Sequence, residues 1–198
     1  MLIKIIPFFL TIVFKSSISL ALADCNGSYL NHCSDTINHK NGEKYVGEIK
    51  NYKYEGTGTY LYINGNVYEG EFKNGVQNGS GVFKFSNGDK YEGEFKNGLF
   101  HGKGTGTTSS GNIYSGDYLE DLPHGYGIQT FVSGDKYEGE FKYGVRSGFG
   151  TLYLANGDKY EGDFENDLFN GQGVLTKKDG TKKTGNFKNN LFIEVNKD

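Results

Sequence analysis

A tyrosine recurs every 23 residues, six times in succession, and no insertion or deletion interrupts the spacing. A glycine follows each tyrosine by two positions, and an aromatic or isoleucine side chain follows it by four. The six tyrosines are Tyr45, Tyr68, Tyr91, Tyr114, Tyr137 and Tyr160. So strict a period predicts a repeat array, in which each unit is one small element that becomes stable only by packing on its neighbours.

Each period divides into two predicted β-strands. The segment Lys90–Lys96 alternates, with Tyr91, Gly93 and Phe95 on one face and lysines and glutamates on the other. The segment 79–85 places a Gly-x-Gly pair and two phenylalanines on one face by the same rule. No segment after residue 24 shows a helical period over a useful length.

Glycine and asparagine mark the predicted connections between these strands. The Asn87-Gly88 pair predicts a tight hairpin turn with positive φ, and Asn156-Gly157 repeats it. The opposite connection, at 74–78, is predicted to be longer and polar. A column of glycines on the aromatic face is predicted to leave slots that the rings of neighbouring strands cover. These structural glycines are Gly47, Gly70, Gly93, Gly116, Gly139, Gly162 and Gly185.

The predicted fold class is therefore all-β. We expect an elongated, single-layer antiparallel meander of hairpins, with about six complete 23-residue repeats between degenerate caps. The predicted boundaries are 1–23 for a signal peptide, 24–44 for an N-terminal cap, 45–182 for the repeats and 183–198 for a C-terminal cap.

Composition excludes some functions. The chain contains 31 glycines, about twice the usual ~7% share, which is also typical of disordered linkers. Their strict spacing assigns them to structure instead. The net charge is −3, so the chain lacks the strong positive charge that nucleic-acid binding requires.

The N-terminus resembles an export signal. Lys4 precedes an apolar run at 5–14, and Ala21-Leu22-Ala23 is a small-x-small cleavage site. The alternative is an uncleaved membrane anchor, although ten apolar residues fall short of the ~20 that span a bilayer. We therefore expect a periplasmic or extracellular protein that begins at Asp24. Cys25 and Cys33 follow closely and are predicted to form a disulfide in an oxidising compartment.

The candidate chemistry is weak. His101 and His124 occupy one loop position in adjacent units, with Glu120 and Asp121 nearby, but other units place ordinary polar residues there. Paired glutamates such as Glu92 and Glu94 recur beside lysines, which is typical of a solvated charged face. A catalytic site needs unlike groups in a special environment. The sequence therefore predicts no enzyme, no cofactor and no metal site.

The motif Tyr-Glu-Gly-Glu-Phe-Lys-Asn-Gly at 68–75 and 91–98, followed by Gly-x-Gly and Asn-Gly-Asp-Lys, resembles MORN repeats. The resemblance covers residues 34–192, and the preceding cysteine pair is similar to small exported bacterial members. It implies a hairpin array. Family members are associated with protein assembly, membrane attachment and phospholipid binding.

Three function classes follow. The first is a non-catalytic scaffold that binds an unidentified protein partner, or a second copy, through its aromatic face. That predicted face consists of Tyr68, Phe72, Phe83, Phe85, Tyr91, Phe95, Tyr114, Tyr118, Tyr137, Phe141, Tyr160 and Phe164. The second class is membrane-surface association through lysine columns, and the third is carbohydrate binding on exposed rings. The lysine columns are Lys44, Lys90, Lys136, Lys159, Lys182 and Lys50, Lys73, Lys96, Lys142.

Overall fold

The computed structural model describes residues 24–27 and 29–194, and within these ranges all regular secondary structure is β-strand. The predicted signal peptide at 1–23 lies outside the described residues, as do residues 195–198 of the predicted C-terminal cap. In the described part of the chain, no helix is long and apolar enough to span a membrane.

Fifteen strands form one open antiparallel sheet, and each strand pairs with the strands before and after it in the chain. The strands are β1 (Cys33–Asn38), β2 (Lys44–Lys50), β3 (Lys53–Leu61), β4 (Val67–Lys73), β5 (Val76–Lys84), β6 (Lys90–Lys96), β7 (Leu99–Thr107), β8 (Ile113–Leu119), β9 (Leu122–Thr130), β10 (Lys136–Lys142), β11 (Val145–Tyr153), β12 (Lys159–Glu165), β13 (Leu168–Thr176), β14 (Lys182–Lys188) and β15 (Leu191–Phe192). The predicted single-layer meander is confirmed.

The Asn-Gly-Asp connections are three-residue loops. Lys84 pairs with Lys90, and the Phe85 amide donates to the Asp89 carbonyl at 2.9 Å. The Gly88 amide donates to the Phe85 carbonyl at 3.0 Å, and only the glycine of this loop has positive φ, at 93°. This geometry is a turn followed by a left-handed glycine, which is a common hairpin connection.

The two-residue turns lie at the opposite ends of the strands, where the sequence predicts a longer connection. Lys73 pairs directly with Val76, so only Asn74 and Gly75 connect β4 and β5. Their φ angles are 53° and 90°, as a two-residue turn with two left-handed residues requires. The prediction was wrong because Asn-Gly pairs occur at both ends of the strands, and only the strand register shows which pair forms the shorter turn.

Side chains at the three-residue loops connect successive hairpins. Asp89 Oδ1 accepts a hydrogen bond from the Ser109 amide at 2.7 Å, and Asp158 Oδ1 accepts one from the Lys178 amide at 3.0 Å. Asn66 and Asn112 make the equivalent bonds to the loops that follow them. One polar side chain per unit therefore joins its loop to the next unit.

Acid should weaken one of these links. The Lys177 ammonium, 2.8 Å from Asp158 Oδ2, and the Lys178 amide lower the pKa of Asp158. A carboxyl group whose pKa is lower in the folded chain than in the unfolded chain stabilises the fold at pH values above the unfolded pKa of about 3.9. This stabilisation is lost as the pH falls through the lower pKa of the folded state. Asp158→Asn should keep the amide bond, as Asn112 does, yet show a smaller loss of stability between about pH 5 and pH 2. Urea midpoints measure this, and an unchanged pH dependence would contradict it.

Both ends of the sheet differ from the repeats. At the N-terminus Cys25 and Cys33 form the predicted disulfide, and Asp24 bridges to Ser34 beside β1. At the C-terminus β15 covers only part of β14, and the rings of Phe187 and Phe192 lie 5.3 Å apart. These short, irregular elements are the usual form of the caps of a repeat array.

Candidate functional site

The repeated aromatic residues pack on one another along one face of the sheet. Tyr91 meets Phe95 of its own strand edge-on at 5.2 Å and Tyr118 of the next unit at 4.9 Å. Phe100 stacks on the same tyrosine ring at 3.8 Å. Edge-to-face and offset-stacked pairs are favourable geometries for aromatic rings. We call this continuous row of repeat tyrosines and their contacting rings the aromatic ladder.

The aromatic ladder is the core of the protein, which corrects the prediction that it forms the contact surface. Ten of the twelve residues predicted as the interaction face are buried, while Phe83 and Phe85 are half-buried. The ten are Tyr68, Phe72, Tyr91, Phe95, Tyr114, Tyr118, Tyr137, Phe141, Tyr160 and Phe164. Because the sheet has no second layer, these rings bury one another and are not free for a partner.

The glycine column makes room for the tyrosines, but not as predicted. A Cβ atom at Gly93 would lie 2.5 Å from the Gly104 Cα and 2.6 Å from the Tyr91 hydroxyl. The slot is therefore filled by the tyrosine of the same strand rather than by the ring of a neighbouring strand. Gly185 differs, because its nearest contact is the Phe192 ring at 3.3 Å.

The buried tyrosines are structural and do not titrate near neutral pH. Burial raises the pKa of Tyr118 and of Tyr160 to about 12 and that of Tyr91 further still. The Tyr91 hydroxyl donates to the Glu94 carbonyl at 2.9 Å, and the other five repeat tyrosines make the equivalent bond. A phenol that stays protonated and bonded to the backbone is a poor general base.

One carboxylate per unit has a structural role that the sequence prediction missed. Each of the six repeat hairpins contains a β-bulge after its central glycine pair, and the Glu94 carboxylate reaches across it to accept the Lys103 amide at 3.0 Å. Glu71 binds the Ser80 amide in the same way, at 2.9 Å. The signal was present in the sequence, because an acidic residue occupies this position in all six units.

This difference between two neighbouring glutamates can be tested on one strand. Glu94→Ala leaves the Lys103 amide without its carboxylate and should destabilise the array by about 1 kcal/mol, as loss of one such hydrogen bond does. Glu92→Ala is the matched control, because among the described residues the Glu92 carboxylate makes only an exposed ion pair with Lys90. It should change stability by less than about 0.5 kcal/mol. Equal urea midpoints for the two variants would contradict the structural role of Glu94.

The opposite face of the sheet contains an open groove of about 700 Å³ across β5–β9. We call it the central groove. Apart from its glycines, it is lined by Ser80, Val82, Glu92, Glu94, Lys103, Thr105, Ser115, Tyr126 and Ile128. Tyr126 is 56% exposed and Ile128 is 36% exposed, so apolar surface is open to solvent here. Exposed apolar surface with a polar rim is typical of interaction sites.

Small side chains at the middle of the sheet form the floor of the central groove. Thr105 pairs with Ser115, and their hydroxyls lie 3.1 Å apart. The other five matched units place valine or glutamate in the column of Ser115, whereas Thr105 shares its column with Thr59 and Thr151.

The two lysine columns differ in charge environment. Lys90 and Lys159 each lie 2.6 Å from a glutamate carboxylate of the same strand, and Lys136 forms an ion pair with Glu138. Within the described residues, the second column makes no ion pair. Its members are Lys50, Lys73, Lys96 and Lys142.

A row of aliphatic residues lies beside this unpaired lysine column, at the strand ends that the two-residue turns connect. Val76 is 43% exposed and pairs with Lys73, and Leu99 is 39% exposed and pairs with Lys96. Val145 pairs with Lys142 in the same way. The residues of this row recur every 23 positions in the sequence, but they were not among the predicted site residues.

The histidines do not converge. His124 Nδ1 accepts the Tyr143 amide at 3.4 Å, and His32 lies 2.8 Å from Glu48. Across residues 24–27 and 29–194, no group of three His, Cys, Asp or Glu side chains is arranged to hold a metal ion.

The fold and its repeat define a class: an open sheet of β-hairpins in which each 23-residue unit contributes a buried tyrosine to a continuous core. The chain belongs to the MORN repeat family, whose model matches six consecutive segments. The segments are residues 45–67, 68–90, 91–113, 114–136, 137–159 and 160–182. Repeats of this family are in general interaction modules for proteins and membranes.

Among solved structures, the TCP domain of SAS-4 from Drosophila melanogaster is 13% identical, with 78% of this chain and 90% of that chain covered and a TM-score of 0.44. The TCP10 domain of CPAP from Danio rerio is 14% identical, with 77% and 100% covered and a TM-score of 0.19. Virginiamycin B lyase from Staphylococcus aureus is 10% identical, with 87% and 75% covered and a TM-score of 0.19. No curated protein matches the chain. The family assignment rests on the repeats alone.

Proposed function

We propose that this protein is a non-catalytic interaction module that acts outside the cytoplasm and binds a protein partner through the central groove. The observation that carries the proposal is the exposed pair Tyr126 and Ile128 beside the small floor residues Thr105 and Ser115. Apolar anchors in an open, polar-rimmed groove match the anatomy of protein interfaces.

The proposal of a non-catalytic role is supported by how the repeated polar groups are used. The carboxylates at the bulges accept backbone amides, and the buried tyrosine hydroxyls donate to backbone carbonyls. These groups make the same structural hydrogen bond in every unit, so their environments are equivalent. Acid–base catalysis requires groups whose environments differ.

The proposed location outside the cytoplasm rests on the signal-like segment at 1–23 and on the disulfide between Cys25 and Cys33. N-terminal sequencing of the protein from its native compartment should begin at Asp24. Recovery of a chain that starts at Met1 and stays embedded in the membrane would contradict cleavage and favour the anchored alternative.

The groove can be tested with a matched pair of variants. Ile128→Glu places a charge on the groove wall, while Val132→Glu changes a residue that is 74% exposed and does not line the groove. Cross-linking in the native compartment should yield a defined complex, or a homodimer, with wild type and Val132→Glu but not with Ile128→Glu. A complex that survives Ile128→Glu unchanged would contradict the groove as the binding surface.

The aliphatic row supports a second candidate function, association with a membrane surface. Lysines beside exposed aliphatic side chains suit the interface of an anionic bilayer. In this case the wild-type protein would sediment with anionic vesicles in a salt-sensitive way, and Leu99→Ser combined with Lys96→Ser would abolish it. Binding to vesicles without a cross-linked protein partner would favour this function over the first.

A further inference from the structure

We propose that Asn26, in the loop closed by the disulfide, is a modification site at which the side-chain amide is lost spontaneously and aspartate or isoaspartate forms. The sequence contains nine Asn-Gly pairs, and this dipeptide is the most reactive one because glycine presents no side chain that hinders the attacking amide. The structure protects eight of the nine and leaves Asn26-Gly27 open. This inference goes beyond the proposed function, because no residue of the central groove takes part.

The reaction needs only the chain itself and water. The backbone nitrogen of Gly27 attacks Cγ of Asn26, a bond forms between these two atoms, and the Cγ–Nδ2 bond breaks. The proton of the Gly27 amide leaves with Nδ2 as ammonia, and a cyclic succinimide remains. Water then opens the ring at one of its two carbonyl carbons. Cleavage at Cγ gives aspartate, and cleavage at the backbone carbonyl carbon gives isoaspartate, in which the main chain runs through Cγ.

Four of the Asn-Gly pairs lie in the three-residue loops, where both reacting groups are engaged. In each loop the glycine amide donates to the carbonyl three positions earlier, as Gly88 does to Phe85 at 3.0 Å. The asparagine Oδ1 accepts the amide two positions later, as Asn87 does from Asp89 at 3.0 Å. Attack within these loops requires both hydrogen bonds to break first. The same two bonds occur at Asn41-Gly42, Asn64-Gly65 and Asn156-Gly157.

Two further pairs, Asn74-Gly75 and Asn97-Gly98, form two-residue turns. Their glycine amides bond to the preceding unit of the array. Gly75 donates to the Tyr54 carbonyl and Gly98 donates to the Gln77 carbonyl, each at 2.9 Å. These amides are therefore held by contacts between neighbouring hairpins, and they become reactive only when the hairpins separate locally.

The remaining two protected pairs lie within strands, at Asn78-Gly79 and Asn170-Gly171. Gly79 is opposite Phe95 in the ladder between β5 and β6. In an antiparallel ladder every second residue pair exchanges its backbone hydrogen bonds. Counted from the bond between Phe85 and Asp89 at the adjoining loop, the pair of Gly79 and Phe95 is one of these. Gly171 occupies the same position in its own ladder.

The pair Asn26-Gly27 has none of this protection. Both residues are exposed, and their φ angles are 47° and 78°. Apart from its chain neighbours, no atom lies within 4 Å of the position that a Cβ of Gly27 would occupy. Among the described residues, neither the Gly27 amide nor the Asn26 side chain makes a hydrogen bond. Water therefore reaches this turn, and no internal hydrogen bond has to break before the attack.

The products change the charge of the N-terminal cap. Residues 24–38 contain Asp24 and Asp35 but no lysine or arginine, so the new carboxylate adds to a negative segment. Isoaspartate also lengthens the main chain inside the loop that Cys25 and Cys33 close. The aged protein is therefore a more acidic species that differs in its cap and keeps the same central groove.

The test uses the exported chain with its disulfide intact, incubated at neutral and at mildly alkaline pH and followed by peptide mapping with mass spectrometry. In native protein Asn26 should convert at least about tenfold faster than Asn87 or Asn97, since those sites react only from locally opened states. Alkaline pH should accelerate the reaction, because the attacking amide nitrogen must lose its proton. Enzymatic methylation of isoaspartate should label wild type and Asn87→Gln early. Asn26→Gln should be labelled only late, because the longer glutamine side chain cyclises slowly.

Unfolding supplies the matched control. In concentrated urea, with the disulfide intact, the nine pairs should react at comparable rates, because the hydrogen bonds that protect eight of them are lost. Equal conversion of Asn26 and Asn87 in native protein would overturn the inference, as would early labelling of Asn26→Gln. A preference for Asn26 that persisted in urea would also overturn it, since neighbouring sequence rather than structure would then set the rate. Ile128→Glu should leave the conversion of Asn26 unchanged, so failure of this site and failure of the central groove are distinguishable.

Discussion

Gly93→Val should destabilise the array more than any surface substitution, by about 3 kcal/mol, the upper end of the usual cost of overpacking. The new Cβ atom would lie 2.6 Å from the Lys103 carbonyl oxygen, besides the contacts with the Gly104 backbone and the Tyr91 hydroxyl. Two of these three neighbours are backbone atoms of the paired strand, which cannot move without breaking the register. Urea denaturation of the mature chain, followed by circular dichroism, measures the effect.

Glu92→Gln serves as the control for this prediction, because Glu92 lies on the same strand and faces the other side of the sheet. It should change the urea midpoint little, since an exposed ion pair contributes under about 1 kcal/mol. Equal midpoints for Gly93→Val and Glu92→Gln would show that the two faces of β6 had been assigned wrongly.

Tyr137→Ala should have an effect of similar size, about 3–5 kcal/mol, because it removes a fully buried ring. That ring meets Phe141 at 5.1 Å and Phe164 of the next unit at 4.9 Å, so the loss interrupts the aromatic ladder between two units. In an array stabilised by nearest neighbours, such a break uncouples the units on either side. Hydrogen exchange should therefore accelerate in β10–β12 more than in β2–β4.

Tyr137→Phe separates the ring from its hydroxyl. It keeps the packing and loses only the bond to the Glu140 carbonyl, 2.9 Å long, so it should cost about 1 kcal/mol. If Tyr137→Ala were no worse than Tyr137→Phe, ring packing would not be the source of stability. Uniform acceleration of exchange along the chain would contradict the nearest-neighbour description.

The repeat period predicted the fold to a large extent, because local rules operate identically in every unit. Alternation along β6 placed Tyr91 and Phe95 on one face and Glu92 on the other, and their burial follows that pattern. The cysteine pair, close in sequence, was likewise sufficient to predict its disulfide. Six units in register also placed the chain in the MORN family.

The candidate sites were less predictable, because they depend on contacts between residues distant in the period. The sequence showed an acidic residue at Glu94 but not that the bulge would bring it to the Lys103 amide. It showed aromatic residues on one face, and without strand register their mutual burial was mistaken for an open surface. Nine Asn-Gly pairs look alike in the sequence, and only the backbone hydrogen bonds distinguish Asn26-Gly27 from the others.

By itself the sequence determined the strands, their faces and the period, because side-chain alternation and turn residues act over a few neighbouring positions. Tertiary structure alone decided three further properties: which connection is the two-residue turn, that the rings bury one another, and that Thr105 and Ser115 open a groove on the opposite face. The physical reason is that burial and cavity shape are set by which strands pair and in what register, and the pairing of each hairpin with the next was not specified by any one unit.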